Sequence, residues 1–579
     1  MRRWAMADLR SLLEQRLRVA FDRVEPGADP QVRASDHADF QSNGALALAR
    51  RLGRNPRDLA AEVAASAELD DICSSVEVSG PGFLNLTLAN PFLAGELATM
   101  AADERLGVAP AAEAKTVVVD YSGPNVAKEM HVGHLRSTII GDALCRVLGF
   151  LGHRVERENH IGDWGTPFGM LIEHLLEVGE EEAVHELSVG DLDTFYRQAR
   201  ASFDADDAFR ERARRRVVLL QSGDEETLRL WRVLVGESVR YFDEVYSGLD
   251  VLLNADDVVG ESFYNPMLPG VVEDLRRAGL LVDSDGALCV FPEGFVNRNG
   301  DPLPLIVQKS DEGFGYAATD LAAIRDRVDR LGAGLLLYVV GAPQAQHLEM
   351  CFAVARMAGW LPPGTDAVHV AFGHVLGSDR KMFRSRSGET VKLVDLLGEA
   401  VDRARAALAQ RNPEAPSGSL DEVARAVGIG AVKYSDLSTD RVRDYVFDWD
   451  RMLAFEGDTG PYLQYAHARV GSIFRRAGSE PPPPSTPIVL DEPAERALGL
   501  ALLGYSEAVD AAVSTWSPSR LCAYLFAVAT TYTTFYETCP VLQAPEPARR
   551  DSRLALSSLT ARVLAHGLGL LGITVPERM

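Results

Sequence analysis

The most constraining stretch of this chain is Thr116-Val117-Val118-Val119-Asp120-Tyr121. A short run so rich in β-branched residues fits a strand covered on both faces, as in a parallel sheet. Ser122-Gly123-Pro124-Asn125 then supplies a turn, and helical periodicity follows. Leu135, Ile139, Ala143, Val147 and Leu151 recur every fourth residue, and Ile140, Leu144 and Leu148 widen the stripe toward a buried face. Strand, loop and helix in that order form the unit whose loop, at the carboxyl end of a parallel strand, receives ligands, with phosphate favoured at the helix N-terminus.

The chain has 579 residues, more than one hydrophobic core usually organises, so two to four domains are expected. The segment to about residue 110 alternates helical patterns (Leu9 to Val24, Gly44 to Leu52, Pro56 to Ala65) with a strand-like Phe83 to Leu88, which predicts a small α+β domain. Residues 111–400 carry the α/β pattern, with an insertion over about 170–300. From 401 to 579 long helical patterns predict an all-α bundle, interrupted by Pro413, Pro416 and the stiff tract Pro481-Pro482-Pro483-Pro484. The six cysteines show no paired short spacing, which disfavours a structural zinc site or a disulfide framework. No stretch approaches the roughly 18 uncharged residues of a membrane span, so a soluble, cytoplasmic chain is expected. A net charge of −24 excludes non-specific coating of nucleic acid but leaves room for a local basic patch. The run Arg210, Arg212, Arg214, Arg215, Arg216 is one candidate, and a solvated helix face is the alternative.

Two motifs carry chemistry. At the loop-to-helix junction stands Asn125-Val126-Ala127-Lys128-Glu129-Met130-His131-Val132-Gly133-His134. Two imidazoles flanking a glycine can donate to phosphate oxygens while the backbone comes close to a nucleotide. Taken alone, His-x-Gly-His also fits a metal fragment or ordinary packing. Far downstream, Lys381-Met382-Phe383-Arg384-Ser385 lies among glycines and polar residues, as in a loop able to bring cations over phosphates. Together, in this order, the two resemble the His-Ile-Gly-His and Lys-Met-Ser-Lys-Ser signatures of class I aminoacyl-tRNA synthetases. Phe383 replaces the first serine of the second signature and Arg384 the second lysine, a planar fork in place of a compact ammonium.

Within that class the resemblance is to the arginyl-tRNA synthetases, through Lys128 ahead of the histidines and through Gly315-Tyr316-Ala317-Ala318-Thr319-Asp320-Leu321-Ala322. Tyr316 and Asp320 share a helical face, where a carboxylate can take a guanidinium in bidentate fashion beside an aromatic wall. Asn125, Glu261 and Gln344 complete the arginine pocket by resemblance; His347 either helps hold a substrate or is an internally satisfied histidine. In the helical bundle, Gly457-Asp458-Thr459-Gly460-Pro461-Tyr462-Leu463-Gln464-Tyr465-Ala466-His467-Ala468-Arg469 resembles the family's anticodon-binding domain. Tyr462, Tyr465 and Arg469, with Tyr536 as a weaker companion, either stack on splayed bases or pack a core. Phe40, Gln41 and Asn43, in Asp39-Phe40-Gln41-Ser42-Asn43-Gly44, match the amino-terminal domain that touches the tRNA elbow.

The resemblance implies a multidomain α/β fold: a Rossmann-type parallel-sheet catalytic domain between an N-terminal α+β domain and a C-terminal all-α anticodon-binding bundle. It implies activation of L-arginine by ATP, with Mg2+ carried by the ATP, then transfer to tRNA(Arg) by a monomer that needs tRNA bound before it activates arginine. His131, His134, Lys128, Lys381 and Arg384 would act on the phosphates; Gly133, Met382 and Ser385 would join them in binding ATP, and no resident metal is expected. Three rivals stand beside this reading: a class I synthetase for another amino acid, a small-molecule nucleotidylyltransferase, and a non-catalytic RNA-binding paralogue.

Overall fold

In a computed structural model, residues 8–180, 183, 192–311, 313–377, 379–383, 391–411, 417–478 and 480–579 are described. The chain begins with helix α1 (Leu9–Val24), then β1 (Val32–Ala34), β2 (Phe40–Ser42), α2 (Gly44–Leu52), α3 (Pro56–Ser66), β3 (Cys73–Ser79), β4 (Phe83–Leu88) and α4 (Asn90–Ala102). Local chemistry sets these bounds: Asn55 caps α3 by accepting from the Arg57 amide, Pro56 opens that helix, and Gly53 ends α2 in the left-handed conformation. The strands form one antiparallel sheet in the order β1-β2-β4-β3.

The central sheet is parallel, built from β5 (Thr116–Asp120) and β6 (Arg154–Glu158) with β10 and β11 defined below. Helix α5 (Val132–Phe150) connects β5 to β6 and is buried almost all round. It approaches the sheet so closely that a Cβ on Gly141 would lie 2.3 Å from the Tyr121 ring, so only glycine fits there. After β6 come α6 (Pro167–Val178), α7 (Leu192–Ala205), α8 (Asp207–Ser222), α9 (Glu225–Leu249), α10 (Glu261–Tyr264) and α11 (Leu268–Arg277). A small antiparallel sheet of β7 (Val282–Ser284), β8 (Ala287–Val290) and β9 (Leu305–Gln308) follows, then α12 (Tyr316–Asp329), β10 (Leu335–Tyr338), α13 (Ala345–Met357) and β11 (Asp366–His369).

The sheet order β11-β10-β5-β6 leaves a topological switch between β5 and β10, and the register sets His369, Tyr338, Asp120 and Glu158 side by side at the strands' carboxyl ends. Ligands of open α/β sheets lie above such a point.

The remaining elements are β12 (Val375–Leu376), α14 (Leu393–Arg411), α15 (Ser417–Leu437), β13 (Tyr445–Val446), α16 (Trp449–Met452), α17 (Gly460–Ala477), α18 (Pro493–Leu503), α19 (Tyr505–Ser514), α20 (Ser519–Thr538) and α21 (Pro547–Leu570). Buried charge ties this bundle to the sheet: Arg136 of α5 pairs with Asp436 of α15 at 3.1 Å and donates to the Arg443 carbonyl at 2.9 Å. The amino-terminal domain docks on the bundle as well, with both terminal guanidinium nitrogens of Arg496 on Asp39 at 2.8 and 2.7 Å and Asn90 donating to the Leu490 carbonyl.

The window Pro493–Ser514 is long and apolar enough by composition to cross a membrane; it forms α18 and α19, and half of it is buried inside the molecule. Of the two readings of the arginine run on α8, the ion pairs favour the solvated helix face: Arg212 and Arg216 reach Glu173, Arg212 also reaches Glu177, Arg210 pairs with Asp207 and Arg215 with Glu211. The six cysteines are free, and each is buried.

Candidate active site

The loop after β5 is sharply shaped, with Ser122, Gly123 and Ala127 at positive φ. Its amides are satisfied by side chains: Ser122 donates to Ser137 Oγ, Gly123 to Asn159 Oδ1 and Ala127 to Ser238 Oγ. The loop delivers His131 to the N-cap of α5, where its Nδ1 accepts from the Gly133 amide at 3.0 Å; the His134 Nδ1 accepts in turn from the His131 amide at 3.1 Å. With both Nδ1 atoms accepting, a neutral ring carries its proton on Nε2, so each imidazole offers an N–H donor. Desolvation lowers the His131 pKa, and it lowers that of His134, helped by neighbouring His131, to about 3. Both rings are therefore neutral donors at neutral pH. A Cβ on Gly133 would fall 2.7 Å from the His131 ring, so the motif's glycine is required. The Lys128 ammonium lies 4.6 Å from the Tyr196 ring centroid, a cation–π contact that holds it at the cleft.

A cleft of about 940 Å³ opens here, and Asn125, Lys128, Trp164, Tyr196, Glu261 and Tyr316 line it. A Cβ on Gly162 would meet Asn125 Oδ1 at 2.2 Å, so the bare backbone of Gly162 makes room for that amide. Glu261 opens α10 beside Asp163, which accepts from both the amide and the hydroxyl of Ser262. Burial first, then the charges of Asp163 and Asp320, push the Glu261 carboxyl up to about 7. Asp320, one turn along α12 from Tyr316, holds His347 Nε2 at 2.5 Å, and Cys351 Sγ lies 3.6 Å from the same nitrogen. Tyr316 is 76% exposed at the cleft mouth. Gln344 stands exposed in the short turn after β10, and among the described residues its side chain makes no hydrogen bond to the pocket.

The second signature begins beside the bundle. β12 pairs with β13, the Phe383 ring stacks 4.6 Å from Phe447, and Lys381 and Met382 are exposed. Arg384 and Ser385 lie outside the described residues. Residues 391–393 are zipped to the histidine loop: Val132 donates to the Val391 carbonyl, Leu393 to the Met130 carbonyl, and Lys392 Nζ reaches Glu129 Oε1 at 2.8 Å.

Sequence reasoning missed the charges beneath the cleft. Arg327 of α12 donates to Asp120 at 2.7 Å and to Glu158 at 2.6 Å, its guanidinium 5.0 Å from the Tyr338 ring centroid. This buried trio fixes the pocket helix to the carboxyl ends of β5 and β6. Asp163 had a readable signal, the Gly162-Asp163-Trp164-Gly165 turn that follows a strand; Arg327 had none.

The candidate RNA-binding residues divide. Arg469 lies 4.9 Å from the Tyr465 ring and 5.4 Å from the Tyr536 ring, and the three line a groove of about 400 Å³. Tyr462 packs edge-on against Phe526, with its hydroxyl 3.1 Å from Thr533 Oγ1, and so belongs to the α17–α20 contact. In the amino-terminal domain Gln41 binds Arg33 and Asn85 and faces a groove of about 580 Å³. Asn43 joins that network when its amide oxygen faces Arg33 Nε at 2.8 Å; Phe40 packs against the core.

Comparison with known proteins adds an independent line. The chain matches the family model for the catalytic domain of class I tRNA synthetases (R) over residues 96–449, more than half its length. It belongs to the arginyl-tRNA synthetases. The family's N-terminal domain model matches residues 7–88, and a DALR anticodon binding domain model matches 463–579. The arginine–tRNA ligase of Thermobifida fusca is 54% identical over 578 residues, which cover 99% of this chain and all of that one. The Escherichia coli (strain SMS-3-5) enzyme of the same name is 48% identical at the same coverage. Among solved structures, the arginyl-tRNA synthetases of Plasmodium falciparum and Thermus thermophilus superpose with TM-scores of 0.86 and 0.80 at 29% and 27% identity, each over 99% of this chain and all of theirs. The three-part architecture of an arginyl-tRNA synthetase accounts for the parallel sheet, the amino-terminal domain and the helical bundle together.

Proposed function

We propose that this chain activates L-arginine with ATP and ligates it to tRNA(Arg), using the cleft above the β5/β10 switch. The arginine carboxylate attacks the α-phosphorus of ATP, pyrophosphate leaves, and the 2′-hydroxyl of the terminal adenosine then takes the arginyl group. The observation that carries this reading is one cavity lined by Asn125, Glu261, Tyr316 and Lys128, next to two histidines whose capping bonds leave Nε2 protons free to donate.

In this assignment Asp320 and Glu261 hold the guanidinium, with Tyr316 as a wall, and Asn125, Gln344 and His347 bind the rest of the amino acid. His131 and His134 donate to phosphate oxygens as charge develops, and Gly133 lets the nucleotide approach the backbone. Lys128 and Lys381 bring cations, Arg384 a third, with Met382 and Ser385 beside them on the nucleotide. Mg2+ arrives as part of the MgATP substrate. Tyr465, Arg469 and Tyr536 take anticodon bases, and Gln41 and Asn43 contact the tRNA elbow. The packed Phe40 and Tyr462 support these surfaces from behind.

We assign residues 1–110, 111–400 and 401–579 to elbow binding, catalysis and anticodon binding, with the insertion near 170–300 supporting the acceptor stem. A cytoplasmic monomer is the acting form in this assignment.

The test is ATP–pyrophosphate exchange with each of the twenty amino acids, with and without total tRNA. Exchange with arginine alone, and only when tRNA is present, is expected. Asp320→Ala should lower it at least about a hundredfold, since a buried cation stripped of its partner costs roughly 3–5 kcal/mol. Exchange with another amino acid would overturn the pocket assignment, and silence throughout would favour the non-catalytic paralogue.

A further inference from the structure

The arginine pocket holds a group of donors that arginine binding does not explain. Asp320 on α12 and His347 and Cys351 on α13 present one carboxylate oxygen, one imidazole nitrogen and one thiol sulfur, all within 4.8 Å of one another. His347 and Cys351 are four residues apart, hence on one helical face, and Asp320 meets them from the neighbouring helix. We propose that these three side chains form a binding site for a thiophilic divalent cation, with Zn2+ the best matched, and that the cation and the arginine guanidinium exclude one another at Asp320. The second half of this inference rests on the assignment of Asp320 to arginine.

The geometry supports a tetrahedral ion. Zinc–nitrogen and zinc–sulfur bonds of about 2.05 and 2.3 Å at the tetrahedral angle put nitrogen and sulfur about 3.6 Å apart, and Cys351 Sγ stands 3.6 Å from His347 Nε2. The carboxylate is nearer, at 2.5 Å, because it is hydrogen-bonded to the imidazole. Insertion of the ion needs Asp320 to draw back by about 0.9 Å, to the roughly 3.4 Å separation of two zinc ligands. A side-chain rotation supplies that movement.

The donor set is selective. Sulfur and imidazole nitrogen favour zinc over magnesium or calcium, which call for oxygen. Charge also balances: the thiol, and His347 in its protonated form, release a proton to solvent, and a dication, a thiolate, a carboxylate and a neutral imidazole sum to zero, tolerable in a half-buried pocket. Cys351 is buried, whereas the His347 and Asp320 side chains keep 33% and 23% of their surface exposed, so a fourth coordination position is open to solvent. Three protein ligands with an open position describe an exchangeable site, distinct from the closed sites that hold structural zinc. The sequence test for paired cysteines could not detect it, because it has a single cysteine.

The experiment uses the full chain, metal-free, titrated with Co2+ and with Zn2+ in the absence of ATP. The expected result is one equivalent bound, a thiolate-to-cobalt charge-transfer band, and displacement of Co2+ by Zn2+. Cys351→Ala and Cys351→Ser should abolish the band and weaken Zn2+ binding by at least about a hundredfold, while arginine-dependent activity without added Zn2+ shows that both variants fold. Saturating arginine should weaken Zn2+ binding to the wild type. Absence of the band, or equal Zn2+ affinity in wild type and Cys351 variants, overturns the site. A band that arginine leaves unchanged upholds the cation site and removes Asp320 from the arginine pocket.

Discussion

Glu261 makes arginine capture pH-dependent in a range where most carboxylates are already ionised. Its carboxyl titrates at about 7, raised by burial and by Asp163 and Asp320. Below that pH it is neutral and offers a guanidinium no charge; above it, it is an anion. With a pKa of about 7 the ionised fraction is roughly one-eleventh at pH 6 and ten-elevenths at pH 8, so KM for arginine should fall about tenfold between them, about 1.4 kcal/mol. Arginine's side chain stays charged throughout and contributes nothing to this slope. His347 acts in the same direction, because its bond to Asp320 raises its pKa and the protonated ring occupies the carboxylate that arginine needs. The assay is pyrophosphate exchange with saturating tRNA and ATP, with arginine varied at pH 6, 7 and 8. Glu261→Gln should remove most of the slope, and adding His347→Gln should remove the remainder. A wild-type KM constant within about twofold over this range would refute the reasoning, since a carboxyl at its ordinary value is almost fully ionised by pH 6.

Three further outcomes follow from the geometry. Arg327→Met leaves Asp120 and Glu158 buried without their cation and should cost about 3–5 kcal/mol in urea unfolding; a loss below about 1 kcal/mol would mean that water reaches the trio. Gly162→Ala puts a methyl on Asn125 Oδ1 and should lower arginine activation by roughly a hundredfold while leaving the melting temperature within a few degrees; unchanged kcat/KM would free Asn125 of its role. Tyr465→Ala should raise KM for tRNA with arginine KM unchanged, by the roughly 1–3 kcal/mol of one stacked base, whereas Tyr462→Phe removes only the contact with Thr533 and should leave tRNA KM alone. Equal effects at the two positions would move RNA binding off the Tyr465 groove.

Elements with local signals were readable. The Asn55-Pro56 start of α3, the Gly53 end of α2 and the β-branched run of β5 carry their instructions within a few residues, and the helix and strand bounds agree closely with the pattern. Residues of the cleft were readable only through resemblance, because Asn125 and Glu261 are 136 positions apart and meet through the sheet's crossover. Arg327 gave no signal: its partners are 207 and 169 residues away, on strands whose neighbours are set by the fold. Tyr462 and Tyr465 show the same limit at short range. Helical spacing brings both near one face, but the position of α20 decides that the first is packed and the second lines a groove. The two readings of the α8 arginines stayed open in the sequence because the carboxylates that neutralise two of them, Glu173 and Glu177, belong to α6.

The trio of Arg327, Asp120 and Glu158 also bears on how such a chain can change over generations. Arg327 alone satisfies both carboxylates, so an exchange there strands two like charges in the interior, whereas an apolar replacement of the whole set can be close to neutral in stability. Single-step drift at Arg327 is closed off, although its side chain is buried away from solvent. The substrate-facing positions above, such as exposed Tyr316, bear no comparable folding penalty and can be altered one at a time. A lineage exploring new amino acids in this cleft therefore keeps its floor and varies its walls.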